Sequence, residues 1–208
     1  MGVNDESVGG FLASLASPTA APGGGSVSAF AGALGAALAR MVAGLARDKK
    51  GYETVQGDLV RIETNASSAQ ARLVALVDED SKAYEAVMEA MRRPKGSDTE
   101  RAARVEALQA AYRGATQVPL ETMEVCAQVL DLAAEALEKG NRSATTDAAV
   151  AILLAEAGLR GAALNVRINL ASIRNEAFRT AAEAQMDRIM SHADEVGHRA
   201  MAMAEGRL

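Results

Sequence analysis

Apolar residues recur at intervals of three and four along most of this chain, which is the spacing of one face of an α-helix. No segment shows the alternation of a half-buried strand. We therefore predict an all-α fold, an elongated antiparallel helical bundle. The expected helices cover residues 4–16, 26–47, 61–91, 98–116, 119–139, 143–172 and 175–205.

Helix-starting and helix-stopping residues set several of these boundaries. A hinge is expected at residues 93–97, where Pro and Gly interrupt the pattern. Ser97 and Glu100 have the spacing of a capping box, which predicts a helix start. Pro119 is expected in the first turn of a separate helix, where its missing N–H costs nothing, and Gly140 is expected to end that helix.

The helix at 61–91 places one carboxylate on its apolar face. Asp80 continues a stripe at spacings of three and four, whereas Asp78 lies about 200° away and is expected to face solvent. A core-facing carboxylate is costly unless it is paired, hydrogen-bonded or protonated. Asp80 is therefore either a satisfied core group or a catalytic acid or base with a tuned pKa. The stripe consists of Ile62, Ala66, Ala69, Leu73, Leu76, Asp80, Ala83, Val87 and Met91.

Composition limits the function classes. The 208 residues suit a single domain, 1–208, and 3% aromatics with no Trp disfavour a β-sandwich. A net charge of −5 argues against nucleic acid as a partner. The single cysteine, Cys126, fits a reducing compartment as a small core residue, and with only two histidines no zinc-ligand spacing exists, so no metal is expected.

Two segments bear on the cellular compartment. Residues 1–10 are polar and acidic, unlike a signal peptide, so a cytoplasmic location is expected. Residues 27–46 are about long enough to cross a bilayer and carry one charge, Arg40. Because they are mostly Ala and Gly, a tightly packed core helix explains them better, and no membrane partner is expected.

A run of glycines precedes this small-residue helix. After a loop from Ser17, residues 22–26 read Pro-Gly-Gly-Gly-Ser. Gly23, Gly24, Gly25 and Ser26 would offer backbone N–H groups to a ligand at a helix N-terminus. The alternative is that the glycines only let two backbones pack closely. Neither a Walker loop nor a dinucleotide fingerprint matches.

Each of the remaining polar candidates could have either a structural or a functional role. Asp147 lies in the first turn of the apolar helix 143–172, as a cap or as a catalytic group. Asn165 and Asn169 share a face of that helix and either satisfy backbone groups or bind a ligand. Asp147 and Asn165 lie about 27 Å apart along the helix, so one copy cannot bring them to one site. Lys49 and Lys50 are either solvated or attract an anionic substrate tail.

Six stretches together resemble the cyclodeaminase/cyclohydrolase family of folate enzymes, in order and over nearly the whole chain. The resemblance implies a homodimer that binds tetrahydrofolate one-carbon derivatives near the subunit interface, without a metal or a tightly bound cofactor. The stretches are PGGGSVSAFAGALGAALARMV (22–42), LVDEDSKAYEAVM (76–88), PKGSDTERAARVEALQ (94–109), VPLETMEVC (118–126), EKGN (138–141) and DAAVAILLAEAGLRGAALNVRINL (147–170).

The resemblance also implies a reaction, the opening or closing of the ring between N5 and N10 of the folate. Asp80 is then the expected proton-transfer carboxylate, with Asp147 a second catalytic candidate. Gly23, Gly24, Gly25, Ser26, Asn165 and Asn169 would contact the ligand, and Lys49 and Lys50 would meet its glutamate tail. The sequence is similar to the stand-alone branch, so we expect a methenyltetrahydrofolate cyclohydrolase. A formimidoyltetrahydrofolate cyclodeaminase and a non-catalytic folate- or helix-binding dimer are the alternatives.

Overall fold

Six α-helices build the protein in a computed structural model that describes residue 3 and residues 6–208. No strand occurs within those residues, so the predicted all-α class is confirmed. The helices are α1 (Val8–Ala16), α2 (Gly24–Gly44), α3 (Gln56–Arg92), α4 (Asp98–Lys139), α5 (Thr145–Leu170) and α6 (Glu176–Glu205). Short 3₁₀ turns at Glu53–Val55 and Arg142–Ala144 precede α3 and α5.

The long helices form two layers. Helix α2 packs between α3 and α5, α6 packs on α5, and α4 contacts all four. Two ion pairs show that α3 and α4 run antiparallel, because Asp58 binds Lys139 and Arg72 binds Glu121. The N-terminus of α2 lies beside the C-terminal parts of α3 and α5, where Ser26 bonds to Asp80 and Gly24 lies near Asn165.

Small residues allow α2 and α5 to approach closely. A Cβ built on Gly158 of α5 would lie 2.6 Å from the Ser28 carbonyl oxygen of α2. A Cβ on Gly35 of α2 would lie 2.9 Å from the Ala151 carbonyl oxygen of α5. Side chains cannot be added at either position without separating the helices, so the two glycines permit the helix contact.

The predicted helix boundary before Pro119 is wrong. Helix α4 continues through Pro119 as a single helix of 42 residues that starts at the predicted Ser97–Glu100 capping box. A proline in a helix interior leaves the carbonyl four residues earlier without its N–H donor. Here that carbonyl belongs to Ala115, and it accepts a hydrogen bond from Asn169 Nδ2 of α5 at 2.7 Å. The tertiary contact replaces the missing backbone bond.

Two N-terminal predictions need correction. In α1 only Phe11 is buried, against Phe30 of α2, while Val8 and Leu12 are largely exposed. The predicted start of this helix at residues 4 and 5 lies outside the described residues. Helix α2 begins at Gly24, so Gly24 and Gly25 are helical rather than part of the loop.

Helices α2 and α5 are long and apolar enough to cross a membrane by length and composition alone. Half of the apolar window in each is buried within this fold.

Candidate active site

A cavity of about 440 Å³ lies where four helices meet at one end of the bundle. It is bounded by the first turn of α2, the C-terminal half of α3, the middle of α4 and the last turns of α5. The lining residues are Ala20, Ala21, Gly23, Gly24, Gly25, Asp80, Ala83, Tyr84, Val87, Met88, Met91, Tyr112, Ala115, Asn165, Ile168, Asn169 and Ser172.

Asp80 of α3 lines the cavity and is held by Ser26 of α2, which does not line it. The Ser26 hydroxyl donates to Asp80 Oδ2 at 2.8 Å, and Ser26 is fully buried. The stripe position predicted for Asp80 is correct, because Leu73 and Leu76 before it and Val87 after it are buried. The carboxylate has a hydrogen-bond partner and also lines the cavity, so its catalytic role stays a prediction.

Burial raises the pKa of the Asp80 carboxyl above the ordinary aspartate range. Hydrogen bonds from the side chain and backbone of Ser26 favour the charged form and offset part of that increase. The carboxylate is thus half-buried and more basic than a surface aspartate. Both properties suit a group that accepts and returns a proton.

The glycines let the Asp80 carboxylate contact the start of α2. A Cβ built on Gly25 would overlap all three carboxylate atoms of Asp80, so only glycine fits there. Gly24 differs, because a Cβ would lie 3.8 Å from Asn165 Nδ2, an ordinary contact. Gly23 is the N-cap and provides no side-chain cap. The first turn therefore presents backbone N–H groups to the cavity.

Asn165 and Asn169 reach the cavity from successive turns of α5, and both amides have their donors engaged. Asn165 Nδ2 donates to the Gly161 carbonyl at 2.9 Å, and Asn169 Nδ2 donates to the Ala115 carbonyl at 2.7 Å. Neither Oδ1 accepts a hydrogen bond from the part of the chain that the structure describes. Both residues line the cavity, so each amide oxygen is available as an acceptor there.

The apolar wall of the cavity was not predicted as part of a site. Tyr84, Met88 and Met91 line it from α3, and Tyr112 lines it from α4. Tyr84 lies one turn after Asp80, a spacing that could have identified it. Tyr112 gives no such signal, because the register of α4 against α3 places it.

Four predicted site residues do not line this cavity, and one of them is Ser26, which is fully buried behind its hydrogen bond to Asp80. Asp147 lies in the first turn of α5, at the opposite end of that helix from Asn165. Lys49 and Lys50 are exposed in the turn after α2, about 30 Å along that helix from Gly24. Asp78 is also corrected, because it is half-buried and accepts a hydrogen bond from the Val3 N–H at 3.0 Å.

Other reactive groups lie elsewhere. Cys126 is buried among helices, and burial raises the pKa of its thiol to about 12. Within residue 3 and residues 6–208, no three His, Cys, Asp or Glu side chains cluster as metal ligands would. His192 is exposed and bonded to Asp131 of α4 at 2.9 Å.

A family model described as formiminotransferase-cyclodeaminase matches residues 7–188. A methenyltetrahydrofolate cyclohydrolase of Methylorubrum extorquens is 40% identical over 195 residues, 94% of each chain. The mouse formimidoyltransferase-cyclodeaminase is 34% identical over 175 residues, 84% of this chain and 32% of that protein. A crystal structure of formiminotetrahydrofolate cyclodeaminase from Thermotoga maritima is 31% identical, covers 98% of both chains and superimposes with a TM-score of 0.89.

Proposed function

The chain belongs to the formiminotransferase-cyclodeaminase family, and from that membership we propose that it is a 5,10-methenyltetrahydrofolate cyclohydrolase. It is an enzyme of folate-dependent one-carbon chemistry, acting on the N5–N10 bridge. The observation that carries the assignment to this cavity is the half-buried Asp80 carboxylate, held by Ser26 at the N-terminus of α2. The tetrahydrofolate derivative is the substrate, and no tightly bound cofactor is proposed.

Hydrolysis needs one group that moves protons beside the bridge carbon. Water attacks the cationic methenyl carbon and forms a C–O bond, while the Asp80 carboxylate takes the water proton. The resulting tetrahedral carbon collapses: the hydroxyl loses its proton, the C–N5 bond breaks and N5 is protonated. The products are 10-formyltetrahydrofolate and one proton released to solvent. The raised pKa of Asp80 suits both halves of this exchange.

The cyclodeaminase reaction is the alternative that a specific observation favours. The Thermotoga maritima structure named for that activity has nearly the same fold over 98% of both chains. In that reaction N10 attacks the carbon of the protonated formimino group, and the N10 proton is moved to the departing nitrogen, which leaves as ammonia while the methenyl cation forms. The same carboxylate would shuttle that proton. We place hydrolysis first because the relative named for that activity is 40% identical over 94% of its own length.

We further propose that the protein is a homodimer. Helices α2 and α5, which pack on each other, both expose large apolar residues, and one of these residues, Ile168, also lines the cavity. Removing this apolar surface from water stabilises association. The exposed apolar residues are Val27, Leu34, Met41 and Leu45 on α2, with Val150, Leu153, Leu164 and Ile168 on α5.

In such a dimer, a two-fold axis perpendicular to α2 would allow Lys49 and Lys50 to bind the glutamate tail of the substrate. That symmetry runs the α2 helices antiparallel and brings Lys49 and Lys50 of the partner subunit toward the cavity of the first. The substrate's glutamate carboxylates would then meet two cations. Within one subunit the separation of about 30 Å along α2 prevents this contact.

An absorbance assay tests the proposed function. We expect the purified protein to accelerate the loss of methenyl absorbance when 5,10-methenyltetrahydrofolate is added. With 5-formiminotetrahydrofolate we expect no gain of that absorbance and no ammonia. Ammonia release together with a gain of methenyl absorbance would instead establish the cyclodeaminase, and binding without either reaction would establish a non-catalytic protein.

A further inference from the structure

Pro119 lies in the interior of α4, with the cavity on the side of the preceding turn. Its nitrogen carries no hydrogen, so the Ala115 carbonyl lacks the backbone donor that every neighbouring carbonyl of the helix has. Ala115 is a cavity-lining residue and is almost fully buried. A buried carbonyl without a donor is costly, and α5 has to provide one.

Asn169 provides that donor, and the donation fixes the direction of its amide. Only the Nδ2 end of the amide can donate to the Ala115 carbonyl, and it does so at 2.7 Å. The Oδ1 end is held away from Ala115, on the cavity side. The proline therefore selects one of the two orientations that an asparagine amide can adopt.

We infer that Asn169 is a specificity residue whose Oδ1 accepts a hydrogen bond from an N–H of the pterin ring, and that Pro119 is the residue that positions it. This inference rests on the proposed folate substrate. A tetrahydropterin carries N–H donors on its 2-amino group, N3 and N8, so it needs acceptors in the cavity wall. Asn165 lies one turn earlier on α5 and offers a second amide oxygen as an acceptor, because its own Nδ2 donates to the Gly161 carbonyl.

Restoring the backbone donor should release the amide. In Pro119→Ala the new N–H can bond the Ala115 carbonyl, and Asn169 is then free to turn its NH₂ group toward the ligand. The Asn169 NH₂ group would then face an N–H group of the ligand, and because neither can accept a hydrogen bond, binding is weakened. The substitution replaces a helix breaker by the best helix former, so folding should be retained.

The experiment measures the dissociation constant of 5-formyltetrahydrofolate, a ligand without the methenyl bridge, together with the thermal unfolding midpoint. The proteins compared are wild type, Pro119→Ala, Asn169→Ala and the double variant. Gly114→Ala is the matched control, since it also raises helix propensity in α4 and a Cβ there meets nothing within 4 Å.

Affinity and stability should respond in different patterns. We expect affinity to fall several-fold in Pro119→Ala and about tenfold in Asn169→Ala, the scale of one lost hydrogen bond. The double variant should bind no worse than Asn169→Ala, because the positioned group is gone. Its unfolding midpoint should exceed that of Asn169→Ala, because the Ala115 carbonyl regains a donor. Gly114→Ala should bind as wild type does.

Two results would overturn the inference while leaving the proposed function intact. One is wild-type affinity in Pro119→Ala, and the other is an equal loss from Pro119→Ala with and without Asn169. If the wild-type protein itself does not bind the folate, the proposed function and the inference fall together.

Discussion

At the scale of single residues, the site depends on a carboxylate that touches a helix start. Asp80 lies so close to Gly25 that no side chain fits between them, and Ser26 donates to the same carboxylate. Sequence periodicity located Asp80, and the glycine run located the helix start. Their contact explains why both features occur in one chain.

Gly25 should tolerate no methyl group. In Gly25→Ala the new Cβ overlaps the Asp80 carboxylate, which must leave its Ser26 hydrogen bond to make room. We expect turnover to fall at least tenfold, with the helix content by circular dichroism unchanged. Gly114→Ala is the control, since its Cβ on α4 meets nothing within 4 Å and activity should stay within a few-fold of wild type. Equal activity in the two variants would contradict this account.

Asp80→Asn should separate catalysis from stability. The amide keeps the size of the side chain but cannot exchange a proton, so we expect turnover to fall by roughly 10²–10⁴-fold. Because burial raises the pKa of Asp80, the fold holds its proton more tightly than the unfolded chain does. The charged carboxylate thus lowers the free energy of unfolding as the pH rises above the unfolded pKa, and the loss is complete once the pH exceeds the raised pKa of the folded protein.

Thermal unfolding measured against pH checks the sign of this effect. The unfolding midpoint of Asp80→Asn should exceed that of wild type at pH 7, and the difference should shrink as the pH falls through the raised pKa of Asp80. Wild-type activity should also decrease over that acidic range as Asp80 becomes protonated. Asp78→Asn is the control on the same helix, because its Oδ1 can still accept from Val3 N–H. Near-normal turnover in Asp80→Asn would exclude the proton-transfer role.

At the scale of elements, contacts between helices override local signals. Pro119 is a helix breaker by propensity, yet α4 continues because α5 provides the missing donor. The same two helices, with α2, enclose Cys126 beside Gly32 and Gly158. Glycines at such crossings serve the packing of α2 on α5 rather than chemistry.

Gly158→Ala tests the crossing of α2 and α5. Its Cβ would lie 2.6 Å from the Ser28 carbonyl oxygen, so the helices must separate. We expect the free energy of unfolding to fall by about 1–3 kcal/mol, the usual cost of overpacking. Gly114→Ala, in open space on α4, should instead raise it by about 0.5–1 kcal/mol. Urea unfolding followed by circular dichroism measures both, and a stabilised Gly158→Ala would contradict the close approach.

At the scale of the whole molecule, the exposed apolar face of α2 and α5 is the feature that a single chain leaves unexplained. The face borders the cavity, so a second copy seated on it would also wall the site. Assembly and catalysis would then depend on the same surface.

Charges placed on that face should prevent assembly. We expect light scattering of the wild-type protein to give twice the 21.5 kDa chain mass at micromolar concentration. Leu34→Glu combined with Leu153→Glu should give the mass of one chain, because the carboxylates would be buried in the interface. Val8→Glu, on an exposed position of α1, should leave the mass unchanged. A monomeric wild type would refute the proposed dimer.

The paired lysines should matter only for a long glutamate tail. Lys49→Ala combined with Lys50→Ala should weaken polyglutamylated folates more than the monoglutamate, and the difference should shrink at high salt. Lys95→Ala, in the exposed connection between α3 and α4, should affect neither ligand. Equal weakening of both ligands by the double variant would argue against tail binding.

The sequence by itself determined the helical class, the phase of α3 that turns Asp80 inward, the capping box of α4 and the family. Each follows from local spacing or from an ordered set of motifs, and none requires knowledge of which helices pack together. Tertiary structure alone decided the continuity of α4 through Pro119, the half-burial of Asp78 and the arrival of Tyr112 at the cavity. It also separated Lys49 and Lys50 from the cavity within one chain. The physical reason is that hydrogen-bond partners and cavity walls come from other helices, whose register depends on packing that no local pattern records.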